Sequence, residues 1–186
     1  MIGYAFCGSF CTLTRSLDAL RKLKETGYDI QPFMSERVYT TDTRFMKAAE
    51  LRDEVERLCE RPIVHTVEDA EPYGPAKPLR ALIVAPCTGN TLAKVSAGIT
   101  DGTVPMVIKA HLRSDRPTLF ALASNDALSQ NLASLSRVIT RRGVYFVPMK
   151  QDDPAHKPHS LVARFEDIPD ALDALFRGEQ LRPLFL

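Results

Sequence analysis

The sequence predicts an α/β fold, a three-layer sandwich in which helices cover both faces of a doubly wound parallel sheet. Short apolar runs alternate along the chain with longer stretches whose apolar residues recur at helical spacing. These helical stretches are long enough for the crossovers that parallel strands require. No repeat or low-complexity tract interrupts the alternation. With 186 residues, the chain is expected to form a single domain, residues 1–186, around one core.

The first half of the chain is predicted to form two strand–helix pairs. The strands are Ile2–Cys7 and Ile30–Met34, and the helices that follow them are Thr12–Thr26 and Thr43–Glu60. Gly27 ends the first of these helices, and Asp42 or Thr43 is the expected N-cap of the second. The segment 61–80 contains four prolines, so we expect an irregular stretch with at most a short strand at Ile63–His65.

The second half continues the alternation and ends in an apolar tail. Its strands are predicted at Ala81–Ala85, Thr118–Ala123 and Val144–Pro148, and its helices from Leu92 onward, over Leu128–Arg142 and over Pro169–Arg177. Thr103–Leu112 fits either a strand or a helix, and we favour a helix. The tail Leu181–Leu186 is expected to pack on its own core or on a neighbouring molecule.

Composition and charge argue against several classes of protein. The net charge of +1 provides no long-range field for nucleic acid or an anionic membrane. No apolar run reaches the roughly 20 residues that cross a bilayer. The first residues also lack the basic region of a signal peptide. We therefore expect a cytoplasmic protein with no nucleic-acid or membrane partner.

The cysteines and histidines form no recognisable metal site. The four cysteines include no C-x-x-C pair, so neither a disulfide framework nor a closed zinc site is predicted. His156 and His159 flank a proline in a polar loop, which offers no fixed ligand geometry. His65 is either a general base at a strand end or a surface histidine. Cys87 could touch a ligand, but only a helix N-terminus is present to lower its pKa, so we expect no nucleophile there.

The loop Pro86–Thr91 is the first candidate binding element. It follows a wholly apolar strand and leads directly into a helix, and it carries the polar side chains of Thr88, Asn90 and Thr91. In open α/β sheets, ligands lie outside the carboxyl ends of the strands. We therefore expect a pocket here for a ligand with a flat polar ring or a phosphate. The alternative for Asn90 is a simple helix N-cap.

The loop after the first strand is the second candidate. It contains one glycine, Gly8, so it is neither a G-x-G-x-x-G fingerprint nor a P-loop. The hydroxyls of Ser9, Thr12 and Thr14 beside a helix N-terminus suit a phosphate monoester, although Ser9 or Thr12 could simply cap the helix. Two such loops could grip one ligand from two strand ends, with Ser35 as a third contact.

Basic side chains cluster between Lys109 and Arg116. Lys109, Arg113 and Arg116 are candidates for binding the carboxylates of a dianionic substrate. The alternative is a solvated helix end whose cations suit the negative pole of the helix dipole.

Several ordered segments together resemble a family of flavin-containing enzymes that includes the cysteine decarboxylases. The family's signature loop, P-A-S-A-N-T, corresponds to Pro86-Cys-Thr-Gly-Asn-Thr91, and Gly8-Ser9 matches its opening turn. The resemblance is closer to one branch, the B subunits of dipicolinate synthases, and covers nearly the whole chain. The segments that carry it are Gly8-Ser-Phe-Cys-Thr12, Thr41-Asp-Thr-Arg-Phe45, Ala70-Glu-Pro-Tyr-Gly-Pro75, Ala85–Thr91, Ser124-Asn-Asp-Ala127, Phe146–Pro154 and Lys157-Pro-His-Ser-Leu161.

This resemblance implies a Rossmann-like, flavodoxin-related fold and an FMN cofactor near the boundary between protomers of a homo-oligomer. It implies FMN contacts for Gly8, Ser9, Phe10, Ser35, Pro86, Cys87, Thr88, Asn90 and Thr91. The branch works with an A subunit that resembles a nicotinamide-dependent dehydrogenase, so NAD(P) is expected on that partner. The implied substrate is a small dicarboxylate, a dihydrodipicolinate-type precursor that is oxidised to dipicolinate during spore formation, in the mother-cell cytoplasm of a sporulating bacterium.

The sequence departs from the family at the features that decarboxylation needs. The substrate clamp, proline–methionine–asparagine, reads Pro148-Met-Lys150 here, and His65 stands in a poor context for the family's base. The leading hypothesis is therefore an FMN-type oxidoreductase subunit. The alternatives are a non-catalytic activating subunit with a vestigial flavin pocket, and a flavin-dependent decarboxylase or prenyltransferase.

Overall fold

A computed structural model describes residues 1–186 as one seven-stranded sheet between two helical layers. The strands are β1 (Ile2–Phe6), β2 (Ile30–Met34), β3 (Leu82–Cys87), β4 (Thr118–Ser124), β5 (Val144–Phe146), β6 (Met149–Lys150) and β7 (Leu161–Ala163). The helices are α1 (Leu13–Glu25), α2 (Glu36–Thr40), α3 (Ala48–Cys59), α4 (Val67–Ala70), α5 (Gly89–Ala97), α6 (Thr103–Leu112), α7 (Leu132–Ile139) and α8 (Ile168–Phe176). Short 3-10 turns precede α1 and α8.

The centre of the sheet is parallel, as the sequence predicts, but one end is antiparallel. The parallel strands lie in the order β2-β1-β3-β4-β5. β5 pairs with the first half of β4, and β7 pairs antiparallel with its last residues through Ala123 and Val162. β6 continues the sheet beyond β7. The predicted parallel sheet is present in β1 to β5, and the chain then returns in a hairpin-like path that adds β7 antiparallel to β4 and β6 antiparallel to β7.

Alternate residues of the buried strands supply two separate hydrophobic clusters. In β1, Tyr4 and Phe6 pack on one face, beneath α1, α3 and α8, while Ala5 packs on the other, beneath α5, α6 and α7. Every residue of β1, β2, β3 and β4 is buried. A strand covered on both faces shows a continuous apolar run, which is why these strands were recognisable in the sequence. The three-layer arrangement is confirmed.

Most elements lie where they were predicted, including α6, whose bounds match the favoured helical interpretation. The second predicted helix begins five residues late, at Ala48, because Thr43 accepts hydrogen bonds from two following backbone amides and holds a turn. Asp42 does act at the helix start, where its Oδ1 accepts from the Ala48 amide at 2.8 Å. The helix predicted over Leu128–Arg142 is shorter, since residues 125–131 form turns before α7.

The C-terminal tail docks on the edge of its own sheet. The backbone amide of Met149 donates to the Leu184 carbonyl at 2.9 Å, and the Leu186 amide donates to the Met149 carbonyl at 3.1 Å. Phe185 and Leu186 are nevertheless more than half exposed. None of the helices combines the length and the apolar character that crossing a membrane requires.

Candidate functional site

A polar cleft of about 540 Å³ lies beyond the carboxyl ends of β1, β2 and β3. Its walls come from the loops after these strands, from the start of α2 and α5, and from the segment before α6. The lining residues are Gly8, Ser35, Glu36, Arg37, Thr88, Asn90, Thr91, Lys94, Asp101, Gly102, Thr103 and Pro105. The structure thus brings together five of the nine residues that the sequence singled out for FMN.

The N-terminus of α5 opens on this cleft and is held in place by Thr88. The Thr88 Oγ1 accepts from the Thr91 amide at 3.1 Å and also lies 3.0 Å from Thr91 Oγ1. Thr88 is therefore the N-cap, and Asn90 is left exposed in the first turn. The first amides of a helix carry partial positive charge and lack intrahelical acceptors, so this end of α5 suits an anion.

Ser35 contributes a hydroxyl that has no partner within the protein. Its Oγ is buried and makes no hydrogen bond, although Ser35 stands at the N-cap position of α2. The Ser35 amide donates to the Phe6 carbonyl at 3.0 Å, which fixes the residue beside β1. An unpartnered buried hydroxyl costs free energy that a bound acceptor would recover. The cleft therefore fits a ligand that supplies acceptor oxygens.

The four charged side chains at the cleft were not among the residues that the sequence predicted for the site. Glu36 and Arg37 belong to α2, a short helix that was not predicted. Lys94 Nζ donates to Asp101 at 2.8 Å, and this hydrogen bond lowers the pKa of Asp101. The sequence Ser35-Glu36 directly after a strand, a cap residue followed by an acid, was the available signal for α2.

The other four FMN candidates lie beside the cleft without lining it. Ser9 faces a neighbouring cavity of about 270 Å³, together with Thr12 and Asn125. Phe10 packs against the hydrophobic cluster under α1. Pro86 and Cys87 are buried residues of β3. Their contribution is to shape the strand end from which the Thr88 loop departs.

The two cysteines nearest to the cleft are in their neutral thiol form. Cys7 and Cys87 are fully buried. Burial raises the pKa of Cys7 to about 11 and raises the pKa of Cys87 well above its usual value. Because the thiolate is the reactive form, neither side chain is a nucleophile at neutral pH.

The basic residues proposed for the substrate carboxylates are not at the cleft. Arg116 donates to the Leu79 carbonyl at 2.9 Å. It comes two residues before β4, so it lies at the amino ends of the strands, on the opposite side of the sheet from the cleft. Lys109 and Arg113, near the end of α6, face a different cavity of about 300 Å³. They are close together in sequence, but α6 carries them away from the cleft that its first residue, Thr103, lines.

The histidines do not converge on any centre. His65 stacks on Tyr39 with ring centroids 3.7 Å apart, and its carbonyl accepts from Thr103 Oγ1 at 2.6 Å. His156 and His159 are exposed, and His156 pairs with Asp153 at 3.0 Å. The chain contains no group of three or more metal-ligating side chains.

Comparison with known proteins places the chain among the flavoproteins. The family described as Flavoprotein matches residues 1–176. The chain belongs to this family. The B subunit of dipicolinate synthase from Bacillus subtilis (strain 168) is 34% identical over 185 residues, covering 100% of this chain and 92% of that protein.

Two solved structures have the same fold. The B subunit of dipicolinate synthase from Bacillus halodurans C superimposes with a TM-score of 0.91 at 38% identity, covering 100% of this chain and 95% of that one. The FMN-dependent cysteine decarboxylase SpaF superimposes with a TM-score of 0.69 at 18% identity, covering 95% of both chains. The Rossmann-like, flavodoxin-like fold class expected from the resemblance is thereby confirmed.

Proposed function

We propose that this flavoprotein binds FMN in the cleft, with the phosphate at the N-terminus of α5. The observation that carries the proposal is the buried, unpartnered Oγ of Ser35 in the same cleft as the α5 N-terminus. The hydroxyls of Ser35 and Thr91 can donate to phosphate oxygens, and Arg37 can neutralise part of the phosphate charge. Asn90, exposed in the first turn of α5, offers both a donor and an acceptor for the polar edge of a flavin ring. The FMN named for SpaF is consistent with this assignment.

The cofactor proposal is tested by the visible absorption spectrum of the purified protein, recorded before and after loading with FMN and desalting. We expect retained flavin bands. The Ser35→Ala variant should bind FMN about tenfold or more weakly, because it loses a hydrogen bond to a charged group. Ser136→Ala, which removes an exposed hydroxyl on α7, is the matched control and should bind like the wild type. A colourless protein that cannot be reloaded would overturn the FMN assignment.

We further propose that the protein is the B subunit of a two-subunit dipicolinate synthase. The names of the relatives from Bacillus subtilis and Bacillus halodurans support this role. The reaction would remove two hydrogens from a dihydrodipicolinate-type dicarboxylate and so form an aromatic ring. Bound FMN would supply an acceptor for two electrons, and this chain would hold the ring system and exclude water. NAD(P) on the A subunit, a homo-oligomer of this chain and a place in the cytoplasm of a sporulating bacterium belong to the same proposal.

A non-catalytic, activating role is the second candidate, and one observation favours it. The only acidic side chains that line the cleft, Glu36 and Asp101, are exposed, and Asp101 is paired with Lys94. No histidine lines the cleft. A buried general acid or base is therefore absent from its walls, as expected of a chain that acts through its partner.

The two roles are separated by measuring dipicolinate formation by the A subunit with and without this chain. A redox role predicts that Ser35→Ala lowers the rate in parallel with its loss of FMN, and that added FMN restores the rate. If a flavin-free preparation of this chain instead activated the A subunit fully, the activating role would be assigned.

A further inference from the structure

The cavity that Lys109 and Arg113 face lies between α5, α6 and the turn after α7. Its volume is about 300 Å³, at the lower end for small-molecule sites. Apolar and basic side chains both line it. The apolar lining residues are Val95, Ile99, Pro105, Ile108 and Leu112.

The cavity is lined by three cations, Lys109, Arg113 and Arg141. No carboxylate lines it. Lys109 and Arg141 take part in no ion pair within the chain. Arg113 approaches Glu71 only to 3.8 Å, and both of these side chains are more than half exposed. Such a pair contributes little and leaves the guanidinium available. The cavity therefore carries an uncompensated positive charge.

Arg141 contacts the last turn of α5. Its Nη1 donates a long hydrogen bond to the Val95 carbonyl, at 3.4 Å, which places the guanidinium beside the cavity. Lys109, in the last turn of α6, could by itself be explained by the dipole of that helix. The helix dipole does not explain the apolar part of the lining, in which Ile99 remains 48% exposed. Apolar lining with a few convergent polar groups is the usual composition of a ligand site.

We propose that this cavity is a second binding site, for a flat aromatic dicarboxylate. The ring would lie on Ile99, Ile108 and Leu112, and the carboxylates would pair with the three cations. Pro105 lines both this cavity and the polar cleft, so the two sites are neighbours that share this one residue. The choice of a flat aromatic diacid rests on the proposed function, whereas the recognition of an anion with an apolar body rests on the three cations and the apolar side chains of the cavity itself.

The test is isothermal titration of the purified chain with pyridine-2,6-dicarboxylate and with benzene-1,3-dicarboxylate. The second diacid lacks the ring nitrogen, so its binding excludes an effect of metal chelation. The double variant Lys109→Gln/Arg141→Gln should bind both diacids at least about tenfold more weakly. The matched control Lys22→Gln/Arg137→Gln removes two cations elsewhere on the surface and should bind like the wild type.

Two further measurements identify the site and separate this proposal from the FMN proposal. Ile99→Gln should weaken binding several-fold, because it removes apolar lining while leaving every cation in place. Ser35→Ala should bind FMN more weakly and keep the wild-type affinity for the diacids. A protein that binds the diacids but cannot retain FMN would overturn only the FMN assignment. Failure of the wild type to bind either diacid, or unchanged affinity in the double variant, would overturn the second site.

Discussion

His111 is a buried residue of α6 whose ring has a hydrogen-bond partner on one side only. Its Nε2 lies 2.9 Å from the Pro117 carbonyl, and its Nδ1 is buried without a partner. Since a carbonyl can only accept, Nε2 carries the proton and Nδ1 carries none. Burial lowers the pKa of His111 from 6.5 to about 4. Between about pH 4 and pH 6.5, the imidazole is therefore mostly neutral in the folded protein and mostly protonated in the unfolded chain.

This difference predicts a loss of stability in mild acid. The contribution of His111 to the free energy of unfolding is fully present above about pH 6.5. It is lost as the pH falls toward about 4, because the unfolded chain binds the proton first. The total is about 3 kcal/mol over that window. Urea unfolding at pH 7.5 and pH 5 should show a clear decrease for the wild type. His111→Gln should show a flatter dependence, whereas His156→Gln, at an exposed position, should keep the wild-type slope. Equal slopes for all three proteins would contradict this account.

The elements differ in how well the sequence predicted them, and the difference has a physical cause. β2 was predicted with its observed bounds because all five of its residues are buried and all except Gln31 are apolar. β7 and β6 have only three and two residues, and their pairing joins positions far apart in sequence, so no local pattern marks them. The start of α3 depends on Asp42, which reaches six residues forward to the Ala48 amide.

The part of the site that was predicted is the part that follows strands with a clear local sequence pattern. Gly8, Ser35 and the Thr88 loop follow neighbouring parallel strands, so their meeting in one cleft follows from the topology. Arg37 and Asp101 come from segments without a periodic signal. Arg116 comes two residues before β4, so it lies at the amino end of that strand and away from the cleft at the carboxyl ends.

Gly89 shows how one element, α5, depends on the strand end beside it. A Cβ at this position would lie 2.5 Å from Ser124 Oγ, 2.7 Å from Asn131 Nδ2 and 2.8 Å from Asp126 Oδ1. These three side chains are joined by hydrogen bonds, from Ser124 to Asp126 at 2.5 Å and from Asn131 to Asp126 at 2.8 Å. The first residue of α5 thus packs directly on a polar network that follows β4.

We expect Gly89→Ala to destabilise the protein by about 1–3 kcal/mol, as overpacking usually does. Alanine favours a helix intrinsically, so a loss would report the contact with the network and not the helix propensity. The FMN affinity should fall too, because the displaced segment includes the Thr88 cap. Gly102→Ala is the control for stability, since its Cβ would meet only Pro105 Cδ, at 3.9 Å. If Gly89→Ala were as stable as the wild type in chemical unfolding, the side chains of the network would be able to move aside and accommodate the added Cβ.

At the scale of the whole molecule, the two hydrophobic clusters are joined by the strands that separate them. In β4, Leu119 and Ala121 belong to one cluster, and Phe120 and Leu122 belong to the other. Loss of either cluster would therefore leave the same strands with one face in water. Neither helical layer has a sheet of its own on which it could remain folded, so the two layers should unfold together.

This coupling predicts one unfolding transition, whichever cluster is weakened. Leu20→Ala truncates a fully buried side chain of α1 in the first cluster. Leu122→Ala truncates a fully buried side chain of β4 in the second cluster. Each substitution should lower the free energy of unfolding by about 2–5 kcal/mol, the usual cost of such a cavity. In urea, both variants should keep the denaturant dependence of the wild type, with coincident curves by circular dichroism and tyrosine fluorescence. A second transition in one variant, or a reduced denaturant dependence, would show that one layer persists when the other has unfolded.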